Sequence, residues 1–299
     1  MKSLYLASPR GFCSGVARAI KMVDDLVKKY PVPIYVYNEI VHNKKVVEYF
    51  QKKGVRFIFD IKDLPEESVI VFSAHGVSPL IREQAEKKKC TIIDATCPLV
   101  AEVHKKVHSY SRKGYHIIYI GHKNHEEVTG VMAENPKHTT LIENEIDVKK
   151  IPSNHSKFAI LSQTTLNADW VLEIIEKIKS ALPAQTIYNE QPASICYATT
   201  ARQKAVDDLS GKVDLMLIIG SKNSSNANRL LEIASKKTKA YLLDCLDEFA
   251  LSKLSKVKKL GISSGASTPE SLINSAVNTL KSRFKLRCYG KIKSDVEII

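Results

Sequence analysis

Short apolar runs alternate with longer amphipathic stretches along the whole chain. The runs are rich in β-branched and aromatic residues, which is typical of buried strands. They read SLYLA, PIYVY, VRFIF, VIVFSA, TIIDA, HIIYIG, TTLIE, FAILS, TIYNE, LMLIIG, AYLLD, KKLGIS and LRCYG. Stretches with helical spacing lie between them, for example at residues 16–29, 99–113, 169–181 and 200–210. Strands that alternate with helices predict an α/β fold with parallel sheets.

The spacing of these strands repeats three times. Cys97 and Cys196 each lie 24 residues before a glycine that closes an apolar strand, and Cys13 lies 25 residues before Asn38, which follows PIYVY. Two further strands follow in each third of the chain, so the repeat is one of architecture rather than of residue identity. We predict three similar α/β units of ordinary small-domain size. They cover residues 1–97, 98–193 and 194–281, with residues 282–299 returning to the first unit.

Composition places the chain among globular proteins. It has 299 residues, of which 44% are hydrophobic and 26% charged, with 12 Gly and 11 Pro. These fractions exclude a disordered tail, a collagen-like fibre and a disulfide-rich miniprotein. No run of 18 apolar residues is present, and MKSLYLASPRGFC holds too short an apolar stretch for a signal peptide. We therefore expect a cytoplasmic protein.

The formal net charge of +13 narrows the choice of partner only slightly. The lysines occur in scattered pairs where helices should face water, and no basic stretch is interleaved with aromatic residues. A solvated surface explains this pattern, although a positive field would also attract an anionic metabolite. We expect neither nucleic acid nor a membrane as a partner.

The six cysteines fall into two groups. No CxxC pair is present, and a cytosolic protein keeps its thiols reduced, so a disulfide framework is not expected. Small buried apolar positions explain the first group, Cys90, Cys245 and Cys288. The second group has one cysteine per unit, each where a strand gives way to a helix: Cys13, Cys97 and Cys196. Three such thiolates could hold a four-iron cluster in which one iron lacks a protein ligand, and three structural cysteines are the alternative.

Polar side chains follow the carboxyl ends of several strands, which is where open parallel sheets bind ligands. They are His42, His75, His125, Glu127, Thr164, Ser224, Ser225, Asn226 and Ser267. Their order does not match a Ser/His/Asp hydrolase. Imidazoles with hydroxyl and amide donors could bind a diphosphate, and the carboxylate could deliver a proton. Helix capping is the alternative for Ser224, Ser267 and Thr164.

The remaining histidines carry less information. His104 and His108 have the i,i+4 spacing of a metal pair but share a lysine-rich helix face, which favours exposure to solvent. His122 lies close to His125 and is a minor candidate for the site. No sequence context distinguishes the other three, His116, His138 and His155.

Nine segments together carry a resemblance that covers residues 9–270. They are PRGFCSGVARAI, NEIVHN, FSAHGVS, DATCPLV, IGHKNHEEV, SQTTL, ICYATTARQ, GSKNSSNANRL and GASTPE. Several are long enough to be highly specific. On these segments the chain resembles the LytB family, the reductases that complete the non-mevalonate route to isoprenoid precursors.

The resemblance implies a fold and a set of site residues. The fold would be three α/β units in a pseudo-threefold arrangement around one [4Fe-4S] cluster per chain, with one iron not ligated by cysteine. The implied cluster ligands are Cys13, Cys97 and Cys196. The implied substrate-binding residues are His42, His75, His125, Thr164, Ser224, Ser225, Asn226 and Ser267. Proton delivery would depend on Glu127, with Thr164 and His125 beside it as further catalytic residues.

The resemblance also implies a reaction and an electron source. The reaction would be reductive dehydroxylation of 4-hydroxy-3-methylbut-2-enyl diphosphate to isopentenyl and dimethylallyl diphosphate, with a ferredoxin- or flavodoxin-like donor. Glu126 stands where proline is expected, which leaves open which of two adjacent glutamates is catalytic; we favour Glu127. Two other functions remain open, an iron–sulfur hydro-lyase that needs no reductant and a non-enzymatic iron–sulfur sensor that binds nucleic acid.

Overall fold

The computed structural model describes residues 3–183, 187–189 and 194–290. These residues form thirteen strands, and each overlaps one of the thirteen predicted apolar runs, so that prediction is confirmed. The strands are β1 Ser3–Leu6, β2 Tyr35–Tyr37, β3 Arg56–Ile58, β4 Val69–Phe72, β5 Thr91–Asp94, β6 His116–Ile120, β7 Thr139–Ile142, β8 Phe158–Ser162, β9 Ile187–Asn189, β10 Leu215–Ile219, β11 Lys239–Leu243, β12 Lys259–Ser264 and β13 Arg287–Tyr289.

Nine α-helices lie between these strands in the described part of the chain. They are α1 Ser14–Lys29, α2 Lys44–Lys52, α3 Pro79–Lys87, α4 Pro98–Arg112, α5 Glu126–Met132, α6 Ala168–Ala181, α7 Tyr197–Ser210, α8 Ser225–Ser235 and α9 Glu270–Arg283. None of them is both long and apolar enough to cross a bilayer.

The strands form three sheets, in which every described pair is parallel. Sheet A has the order β11-β10-β12-β1-β13, sheet B the order β3-β2-β4-β5, and sheet C the order β7-β6-β8-β9. The central strands read as unbroken apolar runs because parallel sheets are covered by helices on both faces. The predicted α/β class with three parallel sheets is confirmed.

Strand β1 does not join the sheet of the unit in which the sequence placed it. Ser3 pairs with Lys259 of β12 and with Arg287 of β13, so β1 lies in sheet A rather than beside β2 to β5. A strand's apolar pattern shows that it is buried but does not specify its neighbours, which explains the difference. The boundaries at 97/98 and 193/194 stay a proposal, and residues 291–299 of the returning segment lie outside the described residues.

Close contacts group the described residues into two compact units. The first is drawn from Met1–Asp24, Val41–Lys53 and Tyr197–Ile299 and contains sheet A. The second is drawn from Asp25–Ile40 and Gly54–Cys196 and contains sheets B and C.

Alternation along β6 determines which residues of sheet C face which helices. Ile117 and Tyr119 face a buried cluster with α4 and α5, whereas Ile118 and Ile120 face a cluster with α6. Successive side chains of a strand point to opposite faces, so this follows from the pleat. It places the Tyr119 side chain on the α5 side of the sheet, which positions the carboxylate described next.

Candidate active site

Glu127 is a buried carboxyl held at the carboxyl end of sheet C. It is the second residue of α5, just after β6, and its side chain is only 1% exposed. Thr164, which follows β8, donates its backbone N–H to Oε1 and its hydroxyl to Oε2, both at 2.8 Å. The Tyr119 hydroxyl donates to Oε1 at 3.3 Å. Burial raises the pKa of Glu127, although the Thr164 hydrogen bonds act in the opposite direction, so this group is suited to carry a proton.

Glu126, its neighbour in the chain, has a different environment. It is partly exposed, and its Oε2 lies 2.9 Å from Nδ1 of His75, which follows β4 of sheet B. Consecutive helical residues point about 100° apart, so only one of two adjacent glutamates can face the sheet. The substitution of glutamate for the expected proline therefore adds a hydrogen-bond partner for His75 and leaves Glu127 buried.

His125 lies beside both glutamates. It caps α5, with Nδ1 accepting the Glu127 N–H at 3.2 Å, and its ring packs edge-on against His75 with centroids 5.7 Å apart. An accepting Nδ1 means that the neutral ring carries its proton on Nε2. His125 can therefore donate a hydrogen bond from Nε2 to a ligand. In the second unit, the structure thus brings together His75, His125, Glu127 and Thr164 of the predicted site.

The three candidate cluster cysteines share one local setting. Each immediately precedes a helix: Cys13 precedes α1, Cys97 precedes α4 and Cys196 precedes α7. Their backbone N–H groups donate to the carbonyls of Ala266, Ala74 and Thr164 at 2.9–3.0 Å, and all three side chains are partly exposed. A helix N-terminus favours negative charge, so a thiolate ligand suits these positions.

The other three cysteines are also thiols, and they are only partly buried rather than fully so. Cys90 packs against the core of sheet B and donates weakly to the Pro65 and Lys88 carbonyls. Cys288 packs against the core of sheet A, and Cys245 precedes a short 3-10 turn.

The hydroxyls and the amide of the predicted diphosphate site lie in the first unit. Ser224 caps α8 by accepting the Ala227 N–H at 3.4 Å, and Ser225 is the first residue of that helix. Asn226 is only 5% exposed, yet neither Oδ1 nor Nδ2 has a hydrogen-bond partner among the described residues. A buried amide without partners costs about 1–3 kcal/mol, so its retention is typical of a ligand-binding position. Ser267 donates to the His42 carbonyl at 2.8 Å.

The capping alternative is correct for only one of the three residues to which it applied. Ser224 does cap a helix. Thr164 does not, because Asn167 caps α6 by accepting the Trp170 N–H. Ser267 does not cap α9, whose N-cap residue is Pro269.

One histidine prediction is wrong, and one contact of Glu127 was missed. His104 was expected to face solvent but is mostly buried, with Nδ1 2.6 Å from Glu134 Oε1. The approach of α5 covers this face of α4, which the sequence does not reveal; His108, on the next turn, is exposed as expected. The contact of Tyr119 with Glu127 was not predicted, although the alternation of HIIYI placed the tyrosine on one face with Ile117.

Comparisons with known proteins agree with the resemblance. The family model described as LytB protein matches residues 4–281. A 4-hydroxy-3-methylbut-2-enyl diphosphate reductase from Wigglesworthia glossinidia brevipalpis is 46% identical over 289 residues, 95% of this chain and 91% of that protein. The reductase of the same name from Aliivibrio salmonicida is 41% identical over 93% of this chain and 90% of its own length.

Solved structures give the same result for the fold. The E-1-hydroxy-2-methyl-but-2-enyl-4-diphosphate reductase from Plasmodium falciparum superposes with a TM-score of 0.91 at 41% identity, covering 99% of this chain and 94% of that one. A second reductase, described as the terminal enzyme of the non-mevalonate pathway, gives a TM-score of 0.67 at 31% identity, covering 95% of this chain and all of that one. With its family model, relatives and fold in agreement, this chain belongs to the LytB family.

Proposed function

We propose that this chain is an iron–sulfur reductase that removes the hydroxyl group of 4-hydroxy-3-methylbut-2-enyl diphosphate and forms isopentenyl and dimethylallyl diphosphate. The observation that carries the proposal is the buried Glu127 carboxyl, which both polar groups of Thr164 hold in place. The names of relatives at 40–46% identity across at least 93% of the chain support the same reaction. We place the reaction in the cytoplasm.

The donor chemistry of the chain fits the cofactor. We assign Cys13, Cys97 and Cys196 as the three ligands of one [4Fe-4S] cluster, which leaves one iron without a cysteine ligand. These are the partly exposed thiols that immediately precede α-helices, a position that Cys90, Cys245 and Cys288 do not share. When bound, such a cluster supplies single electrons and a Lewis-acidic iron for the substrate hydroxyl.

The diphosphate would be recognised by uncharged donors rather than by a glycine-rich loop. The Asn226 amide, the Ser225 hydroxyl and the N-terminus of α8 offer hydrogen bonds to an anion, and the Ser267 hydroxyl would do so in place of its bond to the His42 carbonyl. His42 and His75 would add imidazole donors. The positive net charge also favours an anionic substrate and a small acidic electron carrier of the ferredoxin or flavodoxin type.

Proton delivery is the task of Glu127. Loss of the hydroxyl as water consumes a proton, and formation of either product places another on the allylic carbon chain. The raised pKa makes the Glu127 carboxyl easier to protonate than an exposed one, and the Thr164 hydrogen bonds stabilise the carboxylate that remains once the proton has been delivered. His125 would orient the substrate hydroxyl through its Nε2–H.

The reaction itself is tested by anaerobic turnover with a reduced viologen dye, on protein whose iron and sulfide content has been measured. We expect oxidation of the dye together with both isoprenoid diphosphates. Turnover without a reductant would indicate a hydro-lyase instead. No turnover by cluster-loaded protein, combined with salt-dependent binding of nucleic acid, would indicate a sensor.

Replacement of Thr164 by valine should shift the pH profile of turnover. The hydroxyl favours the charged form of Glu127, so its removal should raise the pKa of Glu127 further. Because protonated Glu127 is the active form, activity is present below this pKa and is lost above it, and the alkaline limb should move to higher pH. Thr129→Val, at an exposed position of the helix that contains Glu127, is the control. An unshifted limb in Thr164→Val would contradict the role of this hydrogen bond.

Replacement of Asn226 by alanine should weaken substrate binding without destabilising the fold. The amide has no described partner to lose, whereas a hydrogen bond to a charged ligand contributes roughly 1.5–3 kcal/mol, equivalent to about a tenfold to hundredfold rise in KM. Asn228, two residues further along α8, donates to the Lys222 and Ser224 carbonyls and is the matched control. Asn228→Ala should lose about 1 kcal/mol of unfolding free energy and affect KM less. The reverse pattern would reject Asn226 as a binding residue.

A further inference from the structure

Three histidines to which the sequence assigns no role lie together at the amino end of the strands of sheet C. His116 is the first residue of β6, His138 ends the 3-10 turn that leads into β7, and His155 lies three residues before β8. One ring nitrogen from each lies within 4.8 Å of the other two. This is the amino end of the parallel strands, whereas Glu127 and Thr164 follow their carboxyl ends, so the cluster is separate from the proposed catalytic site.

His116 is buried in the sheet with one ring nitrogen unpaired among the residues that the structure describes. The residue is 4% exposed, and its Nε2 lies 2.8 Å from the Thr140 hydroxyl oxygen. Its Nδ1 is buried and has no hydrogen-bond partner among the described residues. When Nε2–H donates to Thr140, Nδ1 keeps its lone pair, and metal-binding imidazoles typically donate their other ring N–H to a neighbouring oxygen in this way.

Ring packing alone does not account for this arrangement. The His116 and His155 rings lie 4.4 Å apart, and Phe158 packs edge-on against both. Such packing uses the faces and edges of the rings but leaves the buried Nδ1 unsatisfied, which is costly. Burial and the neighbouring histidines also lower the pKa of His116 to about 4, so this ring is neutral at neutral pH.

We propose that His116, His138 and His155 bind a divalent transition-metal ion of the zinc class, with water in the remaining coordination position. Imidazole nitrogen suits Zn²⁺, and Zn–N bonds of about 2.0–2.1 Å in a tetrahedral site place the nitrogens roughly 3.4 Å apart. His138 is exposed and His155 partly exposed, so both rings can rotate to close the remaining distance. The metal would link the segments that precede β7 and β8 to β6, and it would thereby stabilise sheet C.

The test is a titration of the iron-loaded protein with Co²⁺ as a spectroscopic probe, under anaerobic conditions. We expect one equivalent of Co²⁺ to bind. The added absorption should be the weak visible bands of Co²⁺ with imidazole and water ligands, without a thiolate charge-transfer band. His138→Ala and His155→Ala should weaken this binding by at least about tenfold. His108→Ala removes an exposed histidine elsewhere and should bind Co²⁺ as the unaltered protein does.

A second measurement uses Zn²⁺ and thermal unfolding. Ligands that bind only the folded state raise the unfolding midpoint, so Zn²⁺ should raise it for the unaltered protein and for His108→Ala but not for the other two variants. Equal metal binding by all four proteins, a thiolate band, or no binding beyond the protein's own iron would each overturn the proposal. Neither measurement requires turnover, so its result is independent of the proposed reductase activity.

Discussion

Replacing Cys97 by serine is expected to remove the iron–sulfur cluster and with it all reductive turnover. A serine hydroxyl is a far poorer ligand for iron than a thiolate, and the change would leave only two of the three proposed ligands. The fold should persist, because the backbone N–H of Cys97 holds its contact with the Ala74 carbonyl whatever the side chain. Iron and sulfide analysis, the visible absorption of the anaerobic protein and viologen-dependent turnover measure the effect.

Cys90→Ser is the matched control for this change. Cys90 is also a partly buried thiol, but it packs beside sheet B and contacts backbone carbonyls that a serine hydroxyl can equally reach. We expect full iron content and turnover for this variant. A Cys97→Ser protein that retains full iron would refute ligation at Cys97, and loss of iron in both variants would point to general instability instead.

The strands were predictable from the sequence because their signal is local. Each is a short apolar run closed by polar or turn residues, which is the pattern of a strand buried on both faces of a parallel sheet. The sheet to which β1 belongs was not predictable in the same way. Its partners β12 and β13 lie more than 250 residues away in the chain, and SLYL would fit beside any buried parallel strand.

In the candidate site, too, features with a local sequence pattern were predictable and features that depend on tertiary contacts were not. The position of Cys97 before a helix follows from DATCPLV, where a strand is followed by proline at a helix start. The burial of His104 and the gathering of His116, His138 and His155 depend on which helices and strand ends approach each other. No pattern of residues along the chain specifies those approaches, so the environments of these histidines could not be predicted.

Replacing Glu127 by glutamine is expected to reduce kcat by roughly 10²–10⁴-fold, the usual contribution of a positioned proton donor. Glutamine preserves the shape of the side chain but has no acidic proton to deliver. Its Oε1 can accept the Thr164 N–H, and its amide N–H can donate to the Thr164 hydroxyl oxygen, which only has to turn its own proton away. Iron content and folding should therefore remain intact while anaerobic turnover falls.

The Glu126→Gln variant tests which of the two adjacent glutamates delivers the proton. This change removes the charge that faces His75 but leaves the buried carboxyl and its two bonds to Thr164 untouched. We expect a much smaller loss of kcat, because the Glu126 contact with His75 is partly exposed and water or the glutamine amide can replace it. If Glu126→Gln instead lost turnover and Glu127→Gln kept it, proton delivery would belong to the exposed glutamate. The burial of Glu127 would then serve only to fix Thr164 at the end of β8.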